Sequence, residues 1–197
     1  MNFLLLQIWG GGFYLANKIL LSLSEGRESA DKLKICGWAA YLIGLPAWII
    51  LLVIKQDWIA AAIEAGGAPS MILGLIIAFR GGNRLPTSLD KFAMIFAYIL
   101  IFAGTGYSIY INNGITSVTQ VLETGVMAGF LGGTYLLAKN NRTGWLLFII
   151  MNGSMGLLMF IQNSFILAAQ QGVSLLFVIY GYTKAGQPVS STDVELS

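Results

Sequence analysis

Two carboxylates within apolar stretches are the residues best suited to chemistry in this sequence. Glu64 and Glu123 lie farthest from any polar loop, each about two turns of helix from the end of its apolar run. A carboxylate inside such a run is costly to bury and marks a binding or proton-transfer site by default. The alternative is a buried acid that stays protonated and bonds a neighbouring helix, or one that reaches water at the end of the run.

Amide and aromatic side chains fall at comparable depth. Gln170 and Gln171 lie in the last apolar run and Asn152 lies near the middle of the run before it, so the three could join the acids in a polar belt. Aromatic ring faces attract cations and carboxylates neutralise them. Rings near the two acids, Trp48 and Tyr180 among them, therefore favour a flat cationic ligand.

Most enzyme chemistries lack their usual residues here. The chain contains no histidine and a single cysteine, Cys36, so imidazole catalysis and a disulfide within the chain are excluded. No combination of residues provides an activated nucleophile or a metal cluster, which predicts a protein that is not an enzyme and has no cofactor or metal. The net charge of +2 gives no indication of nucleic-acid binding.

The elements that must position these residues are membrane-spanning helices. Of the 197 residues 56% are hydrophobic and 10% are charged, whereas soluble domains average about 25% charged. Apolar runs long enough to cross a bilayer, which takes roughly 20 residues, occupy almost the whole length. The predicted spans are residues 3–21, 35–54, 58–79, 92–111, 115–138, 145–161 and 165–183.

The distribution of basic residues predicts the orientation. With the N-terminus outside and the C-terminus inside, only Lys55 falls outside, and the positive-inside rule is satisfied. The cytoplasmic set is Arg27, Lys32, Lys34, Arg80, Arg84, Lys91, Lys139, Arg142 and Lys184. Lys18 would lie near the inner end of the first helix, close enough for its ammonium to extend to the interface. Three tryptophans near the ends of spans are interpreted as interfacial residues, namely Trp9, Trp58 and Trp145.

The chain also matches itself. The aligned pairs are Gly37-Trp38 with Gly144-Trp145, Glu64 with Gln171, Gly74 with Gly181 and, after a gap, Lys18 with Lys139. Counterparts are four spans apart and therefore parallel, which predicts two three-helix repeats joined by an inverting helix, a SWEET-like 3+1+3 plan typical of transporters. The predicted divisions are 1–80 for the first repeat, 81–112 for the linker loop and fourth helix, 113–184 for the second repeat, and 185–197 for a disordered cytoplasmic tail. Chance similarity between apolar segments is the alternative.

Small residues and prolines mark packing faces and breaks. Gly125, Gly129 and Gly133 recur at intervals of four, and the first span contains Gly12 and Ala16, so both spans are expected to pack closely on neighbours. Pro46 and Pro69 are predicted to interrupt the second and third spans, with Gly153 at the position aligned with Pro46. Such breaks either line a transport site or serve only as packing kinks.

Part of the chain resembles a known family. Residues 135–139, 144–152 and 162–182, including Gly144-Trp145-Leu-Leu-Phe148 and Asn152, resemble the last three helices of the PnuC family of vitamin transporters. The resemblance implies seven spans and facilitated diffusion of nicotinamide riboside, thiamine, riboflavin or deoxynucleosides, trapped inside by a cytoplasmic kinase. It also implies that Asn152 and Phe148 contact substrate, with Phe148 replacing a tryptophan usual in the family, and a tryptophan usual after the terminal Gly-Tyr is absent.

The sequence and the resemblance together predict a multi-pass transporter of the bacterial inner membrane, for a small cationic vitamin or nucleoside such as nicotinamide riboside. Its expected partners are this substrate, membrane lipids and a kinase, without nucleic acid, and a homo-oligomer is left open. The candidate substrate-binding residues are Asn152, Glu123, Glu64, Gln171, Gln170, Trp48, Phe148 and Tyr180. The alternatives are a thiamine, riboflavin or deoxynucleoside carrier, a proton-coupled porter, and a membrane assembly subunit that transports nothing.

Overall fold

Long apolar helices make up the described part of the chain. The structure, a computed structural model, describes residues 3–27, 30–54, 58–81 and 87–185. Their helices are α1 (Phe3–Ser24), α2 (Asp31–Ile54), α3 (Trp58–Gly66), α4 (Ala68–Phe79), α5 (Thr87–Ile111), α6 (Val118–Ala138), α7 (Thr143–Ile161) and α8 (Phe165–Lys184). Residues 55–57, between the second and third predicted spans, and the tail beyond residue 185 lie outside the described residues.

The helices are suited to a bilayer in length and composition. Within the described residues, six segments are long and apolar enough to cross a membrane, with α3 and α4 together forming one of them. The helix α8, at 20 residues, is of similar length. The protein is therefore an all-helical chain compatible with a multi-pass membrane protein, as the sequence predicts.

The third predicted span is two helices. Gly67 stands between α3 and α4, and Pro69 lies in the first turn of α4, where its missing backbone N–H does no harm. The backbone N–H of Gly67 donates to the carbonyl of Glu64 over 3.1 Å, which closes the end of α3 at that residue. The prediction of a break at Pro69 is confirmed. The prediction at Pro46 is wrong, because α2 continues as one helix through this proline.

The helices close into a ring. Along the chain α1 packs on α2, α2 on α3 and α4, α4 on α6, α6 on α7 and α7 on α8, and α8 returns to α1. The helix α5 lies beside α3, α4 and α6 on the outside of this ring. Only 11% of the apolar stretch of α5 is buried, against 33% to 44% in the other five segments, so α5 faces mainly outward.

Glycines allow the closest approaches within the ring. A methyl group on Gly129 would lie 2.6 Å from the carbonyl oxygen of Leu147, and one on Gly133 would lie 2.5 Å from the ring of Phe148. The glycine face of α6 is thus the surface that packs on α7, as predicted. Gly12 differs, because a methyl group there would meet nothing within 4 Å.

Two buried tryptophans form the inner layer of the core. Trp38 packs on Gly74 and Trp145 packs on Gly181, where an added methyl group would lie 2.4 Å and 2.9 Å from the respective rings. The interfacial interpretation of Trp145 is wrong, since its side chain is 1% exposed and its indole N–H donates to Glu25. Trp9 and Trp58, by contrast, are 39% and 65% exposed.

Candidate functional site

A polar cavity lies at the centre of the helix ring. Every span of the ring contributes to its lining, and α5 contributes nothing among the described residues. The lining residues are Tyr14, Leu15, Lys18, Tyr41, Trp48, Glu64, Val126, Phe130, Met151, Asn152, Met155, Gln170, Gln171 and Ser174. The cavity measures about 50 Å³ to the centres of water molecules, enough for a few waters.

Glu64 is held at the cavity wall by the broken third span. Because α3 ends at Gly66, the carboxylate stands in the last turn of that helix, facing α1. The hydroxyl of Tyr14 donates to its Oε2 over 2.5 Å, a bond between side chains that are 50 residues apart in the chain. Tyr14 in turn packs against the rings of Tyr41 and Trp48. A hydrogen bond to a phenol and a wall of rings therefore fix the position of this carboxylate.

Lys18 enters the same cavity from α1. Its side chain is 2% exposed, and its ammonium donates to the hydroxyl of Tyr41 over 3.2 Å and lies 3.4 Å from the centre of the Phe148 ring. The prediction that this lysine extends to the interface is wrong, because neighbouring rings enclose it inside the bundle. Lys18 and Glu64 thus line the same cavity.

Amides form the opposite wall of the cavity. The Nδ2 of Asn152 donates to the carbonyl of Phe148 over 2.7 Å, while its Oδ1, although buried, has no hydrogen-bond partner in the protein. The Nε1 of Trp48 is likewise buried and unpartnered. Gln170 donates to the carbonyl of Gly11 over 3.0 Å, which joins α8 to α1. Nε1 of Trp48 packs against Gly10 of α1, so Oδ1 of Asn152 is the acceptor that the lining offers a ligand, and it would otherwise remain unpaired at a cost of about 1–3 kcal/mol.

Five of the eight residues predicted to bind substrate line the cavity, namely Glu64, Asn152, Gln170, Gln171 and Trp48. Phe148 is fully buried and is not part of the lining, but it contacts two lining residues, Lys18 through its ring and Asn152 through its carbonyl. Glu123 and Tyr180 are not part of the lining: Glu123 is exposed on α6, about one turn beyond Val126, and Tyr180 is 40% exposed on α8.

Several lining residues were not among the sequence predictions. Tyr14, Lys18, Tyr41 and Ser174 all contribute polar atoms to the cavity. One signal that could have identified Lys18 is its depth within its helix. It lies six residues from the end of α1, and Glu64 lies the same six residues from the start of α3. The tyrosines gave no such signal, since a tyrosine in an apolar run is an ordinary core residue.

A second pocket opens at the end of the bundle where α1 ends and α2 begins. It measures about 220 Å³ and is lined by polar and charged residues that include Arg27, Asp31, Lys34 and Asn140. Lys34 donates to Asn140 over 2.7 Å there. Trp38 lines this pocket and stacks on Tyr41, which lines the central cavity. The two spaces are therefore separated by a layer of buried rings.

The charged groups at this end pair with one another. Burial raises the pKa of Glu25 above its ordinary value, against the opposing effects of Lys34 and of the Trp145 N–H bond. A hydrogen bond to Asp90 raises the pKa of Lys139, whose ammonium lies 2.7 Å from that carboxylate. Both groups of this ion pair remain partly exposed, so the pair contributes at most about 1 kcal/mol.

The site defines a class of protein without identifying a particular one. Among the described residues no group of three or more His, Cys, Asp or Glu could hold a metal ion. The chain is a helical protein compatible with multiple membrane crossings, with a charged and amide-lined cavity at the centre of its helix ring. Comparison with protein-family models, with curated proteins and with solved structures gives no match.

Proposed function

We propose that this protein is a membrane transporter that carries a small, flat vitamin or nucleoside by alternating access around the central cavity. The observation that supports this most is the lining itself, in which α1, α2 and α3 face α6, α7 and α8 across buried polar atoms without partners. Ionisable residues within a membrane bundle usually mark a substrate or ion pathway. A subunit serving only assembly would not need this polar interior.

Equivalent contacts in the two halves support the 3+1+3 plan. The Trp38–Gly74 contact and the Trp145–Gly181 contact join aligned positions of the two proposed repeats. Two further aligned pairs, Trp48 with Met155 and Glu64 with Gln171, all line the cavity. The third span of each proposed repeat packs on the first helix of the other, α4 on α6 and α8 on α1, as a pseudo-twofold axis along the membrane normal requires.

The basic end of the bundle is proposed to be cytoplasmic. Described basic residues cluster where α1, α4, α6 and α8 end and α2, α5 and α7 begin; they are Arg27, Lys32, Lys34, Arg80, Lys91, Lys139, Arg142 and Lys184. The positive-inside rule then places the N-terminus outside. In this orientation the buried rings of Trp38 and Tyr41 close the cavity toward the cytoplasm.

Substrate binding is expected to accompany a change in shape. Sites for drug-sized ligands have volumes of roughly 300–1,000 Å³, well above the 50 Å³ of this cavity. The two groups of three spans must therefore separate to admit a vitamin, and rocking of one repeat against the other is the motion that alternating access needs. Nicotinamide riboside is the first candidate, followed by thiamine, riboflavin and deoxynucleosides. The substrate diffuses down its own concentration gradient, and a kinase inside the cell then phosphorylates it.

Counterflow in proteoliposomes tests the proposal. Vesicles are loaded with an excess of one unlabelled candidate and diluted into the same compound carrying a radiolabel. A transient accumulation of label, absent from protein-free vesicles, is the expected result for at least one candidate. A pH gradient should leave the final level unchanged, and accumulation driven by that gradient would instead favour a proton-coupled porter. Failure of all four candidate classes to exchange would contradict the proposal and favour an assembly role.

A further inference from the structure

The cavity contains one basic and one acidic side chain. Lys18 and Glu64 both line it, whereas Glu123, the second acid expected there, lies outside. The pair has zero net charge whether both groups are ionised or the proton has passed from the ammonium to the carboxylate. Two carboxylates would have favoured a cationic ligand, but this pair provides no excess negative charge.

Two aromatic rings beside the cavity, those of Phe148 and Tyr41, already bind a cation. The ammonium of Lys18 lies 3.4 Å from the Phe148 ring centre and 4.5 Å from that of Tyr41. Rings that could attract a cationic ligand thus bind a cation belonging to the chain itself. A second cation entering the cavity would be repelled by this ammonium and would have to displace it to reach either ring.

The two charges are also kept apart. Among the described residues the ion pair within 4 Å joins Lys139 and Asp90, whereas Lys18 bonds Tyr41 and Glu64 bonds Tyr14. Each charged group therefore has its own neutral partner and needs no ion from outside. The partners Tyr14 and Tyr41 pack against each other with 4.7 Å between their ring centres, so a ligand can bind beside this pair of rings without breaking a salt bridge.

We propose that the site takes a flat ligand with no net charge, neutral or zwitterionic, that carries a hydrogen-bond donor beside an acceptor, as in a carboxamide or the edge of a pyrimidine base. The inference rests on the proposed transport function and changes the order of its candidates, placing the uncharged riboflavin and deoxynucleosides ahead of the cationic nicotinamide riboside and thiamine. The donor of the ligand pairs with Oδ1 of Asn152, the buried acceptor of a lining residue that has no partner in the protein. Gln171 and Ser174, which also line the cavity, supply hydrogen bonds to the ligand's acceptor.

A matched pair of probes separates charge from shape. Nicotinamide riboside carries a positive ring, and its dihydro form has the same outline without the charge. Thermal shift of the detergent-solubilised protein, titrated with each probe, gives the ratio of their dissociation constants. We expect the neutral probe to bind at least about tenfold more tightly. The interaction energy of two unit charges a few ångströms apart in a site of low dielectric is larger than the free energy that corresponds to a tenfold change in affinity. Uridine serves as a second neutral probe.

Substitutions at the two charged residues reverse the preference. Lys18→Met leaves the acid alone and should shift the ratio toward the cation by about tenfold or more, and Glu64→Gln should shift it the other way. The double variant restores zero net charge and should restore the preference for the neutral probe, which also controls for damage to folding. A wild-type preference for the cation, or a ratio unchanged by Lys18→Met, overturns the inference but leaves transport standing. If neither probe, nor uridine, nor any compound of the wider vitamin panel binds, the proposed transport function is overturned as well.

Discussion

Replacing Asn152 with leucine should weaken ligand binding without destabilising the empty protein. The two side chains have the same number of heavy atoms and a similar size, but leucine has neither donor nor acceptor. The substitution removes the bond from Nδ2 to the carbonyl of Phe148, worth about 0.5–1.5 kcal/mol, and also the buried Oδ1 that no protein group satisfies, which costs about 1–3 kcal/mol. The net change in free energy of unfolding is therefore expected to lie between about −0.5 and +2.5 kcal/mol, where positive values favour the variant.

Binding should change in the opposite direction. If Oδ1 accepts a hydrogen bond from the ligand, Asn152→Leu should weaken binding by about 10-fold to 100-fold, equivalent to about 1.4–2.8 kcal/mol. The assay is a thermal-shift titration with a compound that exchanges in the counterflow experiment, and the melting temperature without ligand gives the stability term. A structural asparagine would show a lower melting temperature and little selective loss of affinity.

Asn17 provides the matched control for this experiment. It too is fully buried, donates through Nδ2 to a helix carbonyl, that of Gly37 over 3.0 Å, and leaves Oδ1 without a partner. It does not line the cavity. Asn17→Leu should therefore alter stability to a similar extent and leave affinity unchanged. Equal losses of affinity in the two variants would refute the assignment of Asn152 to the ligand.

Two further predictions concern packing and pH. Gly74→Ala and Gly181→Ala should each lower the stability of the detergent-solubilised protein by about 1–3 kcal/mol, because the new methyl group overlaps a buried tryptophan ring. The control is Gly153→Ala, whose methyl group meets nothing within 4 Å and which should be neutral or stabilising. Equal melting temperatures for all three variants would contradict the packing argument. Burial raises the pKa of Glu25 above its ordinary value of 4.5, so the folded protein binds more protons than the unfolded chain, and this contribution to stability is lost as pH rises from about 4.5 through the raised pKa. The melting temperature of the wild type should therefore fall relative to that of Glu25→Gln over this pH range. Parallel pH profiles of the two proteins would show the prediction to be wrong.

Hydropathy locates the helices because bilayer length and backbone satisfaction leave few alternatives. All seven predicted spans coincide with helices, but α2 and α5 begin earlier than predicted, at Asp31 and Thr87. The first turns of these helices contain charged residues, and a helix can extend beyond the hydrocarbon into the polar interface, where apolar runs no longer mark its end. Pro46 misled in a similar way, because the sequence alone does not show whether neighbouring helices tolerate a proline within a continuous helix.

The site was harder to predict because depth in a helix is not the same as facing a cavity. Glu64 and Asn152 are deep and also line the cavity, while Glu123 is deep by sequence position but lies about one turn beyond the lining residues of α6. Lys18 was missed because a long aliphatic stem allows a lysine to reach the interface. Whether it does so depends on Tyr41 and Phe148, which come from two other helices, so the distance of Lys18 from the end of α1 does not by itself show that it is enclosed.

The proposed repeats have diverged in the chemistry they bring to the cavity. Glu64 aligns with Gln171 and Tyr41 with Phe148, so the first half supplies a carboxylate and a phenol where the second supplies an amide and a plain ring. Lys18 aligns with Lys139, yet Lys18 is buried in the cavity while Lys139 pairs with Asp90 of α5, partly exposed. Lys139 follows the last residue of α6, whereas Lys18 lies six residues before the end of α1, so the two aligned lysines stand at different depths. The cavity therefore contains a single lysine to balance its single acid, and one half orients charge while the other presents amides, an asymmetry that would fix one orientation of a flat ligand.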